Sequence, residues 1–239
     1  MTRSHKIENW LLWQHSIQPF NYDTEFTKKV LTGISTGNIP LKIEIENSSL
    51  ETLKPMEKIR REVFKCSGCR LGSTKKNFVF GEGSLEASVM FIGEGPGEDE
   101  DISGRPFVGK AGQLLTKIIE NGMKIPRESV YIANVVKCRP PSNRDPLPDE
   151  AAACIGYLKK QIEIINPKVI VLLGKVAAKH LLGLETTITK ARESTYSYGD
   201  IKVFVTYHPS ALLRNENYKR PVWEDIKKVM NYLETVQRP

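Results

Sequence analysis

Apolar residues in this chain gather in short runs separated by stretches with a helical repeat. The runs are Val89-Met90-Phe91-Ile92, Val130-Tyr131-Ile132-Ala133, Val169-Ile170-Val171-Leu172-Leu173 and Val203-Phe204-Val205. Their length and their β-branched and aromatic content fit strands buried on both faces. Residues 111–121, 149–165, 176–182 and 222–236 read as helices, and residues 56–65 as a further helix that delivers the first cysteine. Pro148-Asp149-Glu150 makes a good helix start, with acid where the helix dipole favours it. Gly183 makes a plausible stop. Strands that alternate with helices imply a parallel sheet covered on both sides. The expected fold is therefore α/β: a three-layer α/β/α sandwich around a central, mostly parallel four-stranded sheet. Residues 1–54 lack this pattern and are set apart as an N-terminal extension, with residues 55–239 as the main domain. There is no internal repeat and no low-complexity tract.

Composition narrows the class. Of 239 residues, 40% are hydrophobic and 26% charged, as in a soluble globular protein. The apolar runs are far too short to cross a bilayer. The Trp10-Leu11-Leu12-Trp13 stretch is too short for the core of a secretion signal, so a cytoplasmic location is expected. The net charge of +7 is unevenly placed. Residues 1–50 hold five Lys/Arg and five Asp/Glu, which leaves 30 basic against 23 acidic residues in the rest. A basic domain attracts polyanions, nucleic acid first, although charge alone serves solubility equally well.

The cysteines change the picture most. There are four, as Cys66-x2-Cys69 and Cys138-x15-Cys154. Two pairs separated by most of a domain suggest one metal centre that clips distant segments together. Zinc takes four tetrahedral ligands, often as two close pairs, and a cubane iron–sulfur cluster also takes four thiolates. The wide second pair does not suit a zinc knuckle and favours iron–sulfur. Disulfides are the alternative, disfavoured by a chain long enough to build its own core and by the absence of a secretion signal.

Open parallel sheets carry their sites beyond the C-terminal ends of the strands. Three clusters are expected there. Gly93-Glu94-Gly95-Pro96-Gly97 follows the first strand, Asn134 ends the second, and His208-Pro209-Ser210 follows the last. The glycines admit close backbone approach, but no Gly-Lys-Ser/Thr follows, so this is not a P-loop. The acidic residues 98–101 could hold a divalent metal, yet a solvated loop is the commoner outcome. Taken singly, a strand-end Asn and a His before Pro are usually structural.

Four motifs together carry a resemblance. They are Gly93-Glu94-Gly95-Pro96-Gly97, the Gly104-Arg105-Pro106-Phe107-Val108-Gly109-Lys110-Ala111-Gly112 stretch, Asn134-Val135-Val136-Lys137-Cys138-Arg139-Pro140-Pro141, and His208-Pro209-Ser210-Ala211-Leu212-Leu213-Arg214. With the four cysteines in order, they resemble the family 4 uracil-DNA glycosylases, the iron–sulfur members of that superfamily, over about residues 56–233. The resemblance implies hydrolysis of the N-glycosidic bond of uracil in DNA, which frees uracil and leaves an abasic site in base excision repair. It implies a 4Fe-4S cluster on Cys66, Cys69, Cys138 and Cys154, and uracil-containing DNA as the partner of a monomeric enzyme.

The resemblance also implies roles. The target base must leave the stack to reach a pocket. Phe107 would stack on it, and the Asn134 amide would read its edge. Backbone N–H groups near Glu94 and Gly95 would bind a carbonyl. His208 would donate to the oxygen that gains charge as the bond breaks. Leu212 and Leu213 would fill the gap in the duplex, with Arg214 on phosphate. The best-known uracil glycosylases carry an Asp in this first loop where Gly95 stands here; Glu94 is then the nearest carboxylate for positioning water, with Glu98 and Asp99 as alternatives and no single one singled out. Lys190-Ala191-Arg192-Glu193 departs from the Leu-Arg-Gly common in relatives and carries no assigned role. Other classes remain on this reading: a glycosylase for other deaminated bases such as hypoxanthine, an electron-transfer or redox-sensing iron–sulfur module, and a zinc-stabilised nucleic-acid-binding domain.

Overall fold

The structure is a computed structural model and describes residues 55–237. These residues all lie in one compact unit, Thr52–Pro239. The N-terminal extension expected over residues 1–54, to which no role was assigned, lies outside the described residues.

Helix α1 (Pro55–Phe64) leads into the first cysteine pair and the short α2 (Leu71–Thr74). Then come β1 (Glu82–Gly83), β2 (Val89–Gly93), α3 (Glu98–Ser103), α4 (Lys110–Lys117) and β3 (Tyr131–Asn134). The long α5 (Pro148–Ile165) follows, then β4 (Val169–Leu173), α6 (Lys175–Leu182) and α7 (Ile188–Ala191). The chain ends through β5 (Tyr196–Tyr198), β6 (Ile201–Thr206), α8 (Pro209–Arg214) and α9 (Lys219–Gln237).

The sheet order is β1-β3-β2-β4-β6-β5, and β3, β2, β4 and β6 run parallel. These are the four strands read from the apolar runs. The sheet has six strands rather than four, because an antiparallel strand closes each edge. Neither edge strand carries an apolar run. β1 is only Glu82-Gly83, and β5 is the partly exposed Tyr196-Ser197-Tyr198. An edge strand buries little, so hydrophobic patterning does not mark it.

Alternate residues of each central strand feed two cores. Met90, Ile92, Ala133, Ile170, Leu172, Val203 and Val205 pack with α1, α5 and α6 on one face. Val89, Phe91, Ile132, Val169, Val171, Leu173 and Phe204 pack with α4, α8 and α9 on the other. Burial on both faces is why the strands read as continuous apolar runs rather than alternating ones. Pro148 at the first turn of α5 and the Glu150 carboxylate, which accepts the Leu147 N–H at 2.8 Å, start that helix as expected.

The feature that positions a site is the strand order. After β2 the chain crosses to β3 on one side, then returns to β4 on the other. The first crossover, through α4, leaves β2 for β3; the second, through α5, leaves β3 and returns past β2 to β4, and the two cover opposite faces. The C-terminal ends of β2, β3 and β4 meet at this switch point, where open α/β sheets place their ligand crevice.

Candidate active site and cysteine pocket

Gly93 ends β2 and pairs in register with Asn134, which ends β3. A Cβ on Gly93 would stand 2.5 Å from Asn134 Oδ1 and 2.5 Å from Phe107 Cζ. The amide and the ring therefore meet over this glycine, and any side chain there would push them apart. Asn134 is almost wholly buried, and its Oδ1 has no hydrogen-bond partner among the described residues. A buried acceptor without a donor is costly, and such atoms call for a ligand or a water.

Phe107 is held in a left-handed backbone conformation, φ 53°. Few residues other than glycine adopt it, and its retention by a phenylalanine marks a constrained site. Two features impose it. Gly112 in α4 packs so tightly against the Phe107 backbone that no Cβ fits there. The Glu100 carboxylate accepts three backbone N–H groups, from Gly97 at 3.1 Å, Val108 at 2.8 Å and Gly109 at 2.9 Å. One carboxylate thus ties the Gly-rich loop to the loop that carries Phe107. Asp101 turns inward as well and accepts the Lys76 N–H at 2.9 Å. The acidic run is therefore neither a metal site nor wholly solvated: Glu98 and Asp99 are exposed, while Glu100 and Asp101 brace the loops. Sequence reasoning missed Glu100, whose spacing of three from Gly97 was the available signal.

His208 caps α8. Its Nδ1 accepts the Ser210 N–H at 3.2 Å and lies 2.8 Å from Ser210 Oγ. Burial, followed by the charge of Arg214, pushes its pKa down to about 4, so the ring is neutral near pH 7. With Nδ1 engaged as an acceptor, the ring proton resides on Nε2. The Phe107 and His208 rings lie 5.6 Å apart at 37°. Gly174 after β4, at φ 94°, lets the backbone pass His208 closely, since a Cβ there would sit 3.1 Å from His208 Cβ. Glu94 is partly exposed beside the Gly-rich loop, and burial, then Asp145, pushes its pKa up to about 7. Gly95 has no room for a side chain, since a Cβ would come within 2.7 Å of Val136 Cγ2.

The structure brings together Gly93, Asn134, Phe107 and His208. It splits the leucine pair. Leu213 is 53% exposed, whereas Leu212 is 3% exposed and packs in the core with Leu115 and Val222. Successive helical residues point about 100° apart, so both cannot face the same partner. Leu212 is thus corrected from a DNA contact to an anchor of α8. Arg214 is exposed at the end of that helix. Arg192, in the stretch without an assigned role, is structural. It pairs with Asp225 at 2.8 Å and 3.0 Å and donates to the Pro221 carbonyl, while Thr206 donates to the same Asp225.

All four cysteines are free of disulfides and line one pocket, with Val63, Phe78, Lys137 and Tyr157. Two backbone N–H groups point at sulfur: Gly68 to Cys66 at 3.4 Å and Lys137 to Cys154 at 3.3 Å. Such bonds favour thiolate over thiol. Burial and the neighbouring cysteines push Cys138 up to about 12, so the chain alone disfavours the charge that a metal centre would stabilise. No three His, Cys, Asp or Glu side chains among the described residues are gathered closely enough for a single metal ion. The thiols ring a cavity rather than a point. An exposed ion pair, Arg70 to Asp149 at 2.7 Å, ties the first cysteine loop to the start of α5.

The sequence that builds this arrangement has known counterparts. The sequence model of the Uracil DNA glycosylase superfamily matches residues 80–227. The chain belongs to that superfamily. The chain is 47% identical over 191 residues to a type-4 uracil-DNA glycosylase of Sulfurisphaera tokodaii, covering 77% of this chain and 87% of that one. It is 50% identical over 183 residues to the type-4 enzyme of Thermotoga maritima, covering 74% and 94%. With that of Saccharolobus solfataricus the identity is 47%, covering 74% and 86%. Within the superfamily the chain falls among the type-4 uracil-DNA glycosylases.

Proposed function

We propose that the crevice at the end of β2 hydrolyses the bond between uracil and deoxyribose in DNA, with the residues assigned above. The observation that carries this is the orphaned Oδ1 of Asn134 beside the Phe107 ring. Uracil has a ring N–H next to a carbonyl, so it supplies the donor that Oδ1 lacks and an acceptor for the amide N–H₂. Cytosine presents an acceptor nitrogen and an amino donor, and so mismatches both. The phenyl ring stacks on the base, which must be flipped from the duplex to reach it.

The chemistry follows from the neutral imidazole. As the glycosidic bond breaks, its electron pair stays with the base and charge gathers on the base carbonyl. His208 Nε2–H donates to that oxygen and stabilises the leaving group. The sugar, left with positive character, takes the oxygen of a water, and the water's proton passes to the Glu94 carboxylate or to solvent. The departing uracil anion then takes a proton from solvent, and the products are free uracil and an abasic site. A leaving group stabilised in this way needs only weak help from a base, which suits a carboxyl that titrates near neutrality. Leu213 enters the space vacated in the duplex, and Arg214 meets the phosphates.

The pocket of Cys66, Cys69, Cys138 and Cys154 fits a 4Fe-4S cluster, supported by its ringed thiols and its two N–H groups aimed at sulfur. A cubane asks each thiolate to reach only its own iron. Its contribution when bound is structural, joining the loop after α1 to the segment after β3. Monomeric action in the cytoplasm completes the proposal. Among the described residues no helix is long and apolar enough to cross a membrane.

The test is incubation of the purified protein with duplex DNA containing one uracil, scored for free uracil and for abasic sites. Release of both in equal amounts is expected. No release at enzyme excess, or release from hypoxanthine DNA alone, overturns the assignment.

A further inference from the structure

Lys137 lies between the two pockets and has every polar group committed. Its backbone N–H donates to Cys154 Sγ at 3.3 Å, and its carbonyl accepts the Val79 N–H at 2.8 Å. Its side chain is 1% exposed. The ammonium donates to the Asn134 carbonyl at 2.9 Å and to Gln161 Oε1 at 2.6 Å. Gln161, also fully buried, donates onward to the Phe80 carbonyl at 3.0 Å and to the Tyr131 hydroxyl at 3.1 Å. No carboxylate hydrogen-bonds or pairs with this lysine among the described residues. The hydrogen-bond partners of this buried ammonium are both neutral, and Cys154 is the neighbouring group whose charge offsets its burial; a fold that needed only packing there would use an apolar side chain.

What the ammonium grips is the peptide that closes β3, whose own side chain is the orphaned amide. The Asn134 Cα sits in a strand end fixed on one side by the Val135 N–H to the Gly93 carbonyl at 3.0 Å, and on the other by Lys137. Tilting that peptide swings Oδ1 away from Gly93 and Phe107.

We propose that Lys137 is a positioning residue that couples the cysteine pocket to base recognition. Its backbone is tied to a cysteine sulfur, and its ammonium orients the peptide that carries the Asn134 amide. Anything that loosens the cysteine pocket then reaches the base through one side chain. This rests on the assignment of Asn134 to the uracil edge.

The test compares two DNA ligands. One carries 2′-fluoro-2′-deoxyuridine, whose fluorine disfavours positive charge on the sugar and so slows cleavage. The other carries a tetrahydrofuran abasic analogue, which has no base to read. Wild-type protein is expected to prefer the first. Lys137→Met, which keeps the stem and removes the ammonium, is expected to lose at least tenfold of that preference. Its affinity for the abasic analogue and its iron content should stay within twofold of wild type. Gln161→Leu, which removes the second anchor of the ammonium, should lose about threefold in the same direction.

Parallel loss on both ligands, or an unchanged preference in either variant, overturns the proposal. If Lys137→Met does not fold, an unchanged preference in Gln161→Leu overturns it alone. A wild-type protein with no preference at all would sink the Asn134 assignment instead, and this proposal with it.

Discussion

The crevice at the end of β2 and the cysteine pocket are built on opposite principles. In the crevice the chain determines nearly everything itself. Gly93 and Gly112 leave no slack around Phe107, Glu100 holds three backbone N–H groups, and Ser210 sets the tautomer of His208. One atom is left wanting, Asn134 Oδ1, and the proposed reading gives that place to the substrate. In the cysteine pocket the chain supplies four sulfur donors, of which burial disfavours the charged forms of Cys138 and Cys154, on loops tied by an exposed ion pair. The first region is preorganised to act on a guest, and the second is completed by one. Damage to the crevice should therefore cost rate and spare stability, and damage to the cysteine pocket should cost stability first.

The largest effect is expected from Asn134→Asp. A carboxylate accepts but does not donate, so it turns charge toward a uracil oxygen. Single-turnover excision should fall about a thousandfold, roughly 4 kcal/mol, with the melting temperature little changed. His208→Ala should slow the chemical step by about a hundredfold, the ~3 kcal/mol typical of a lost oxyanion donor, and leave affinity for uracil-containing DNA nearly intact. If both variants excise at wild-type rates, the crevice is not the site.

Cys138→Ser tests the other region. Loss of ~3 kcal/mol of metal-coupled folding energy would lower the melting temperature by roughly 10 °C, with iron content and visible absorbance falling together. An equally stable, colourless variant would break the contrast.

Glu94 gives a smaller, pH-dependent signal. Its folded pKa of about 7 stands above the ordinary 4.5, so between those values the folded protein keeps a proton that the unfolded chain has released. Stability from this group is present below 4.5 and is lost as pH rises through 7. Excision moves the other way and should rise to a plateau above 7, as the carboxylate that takes the water's proton forms. Glu94→Gln should flatten both profiles and slow excision about tenfold at high pH. The smallest effect belongs to Arg214→Ala. It should weaken binding by about 1 kcal/mol on uracil-containing and normal DNA alike, and reduce the salt dependence by about one counterion.

The central strands were legible because burial on both faces writes them as apolar runs. The edge strands were not, since Glu82-Gly83 buries too little to leave a pattern. Asn134 and His208 stood out by lying just past strand ends. Phe107 was reached only through the Gly104–Gly112 motif of the resemblance, because no local pattern marks a phenylalanine forced to a positive φ by a glycine five residues on. Glu100 read as part of a solvated acidic loop, and Lys137 drew no reading of its own. Their partners lie up to 24 residues away in sequence, and only the closed fold turns them inward. Of the leucine pair, helical phase decided which one could face outward, and a run of two apolar letters does not carry phase.

That phase has a mechanical meaning. Helix α8 starts at the imidazole and ends beside Leu213, five residues or about 7.5 Å along one short rigid rod. Leu212 bolts the rod to the core, so a force on the exposed tip is borne by the whole domain rather than absorbed by a loop. On the proposed roles, strand entry and the hydrogen bond to the leaving base are then two ends of one lever. A duplex that refuses the tip would also hold the imidazole away from its target, and inspection of the helix would become a condition for cutting.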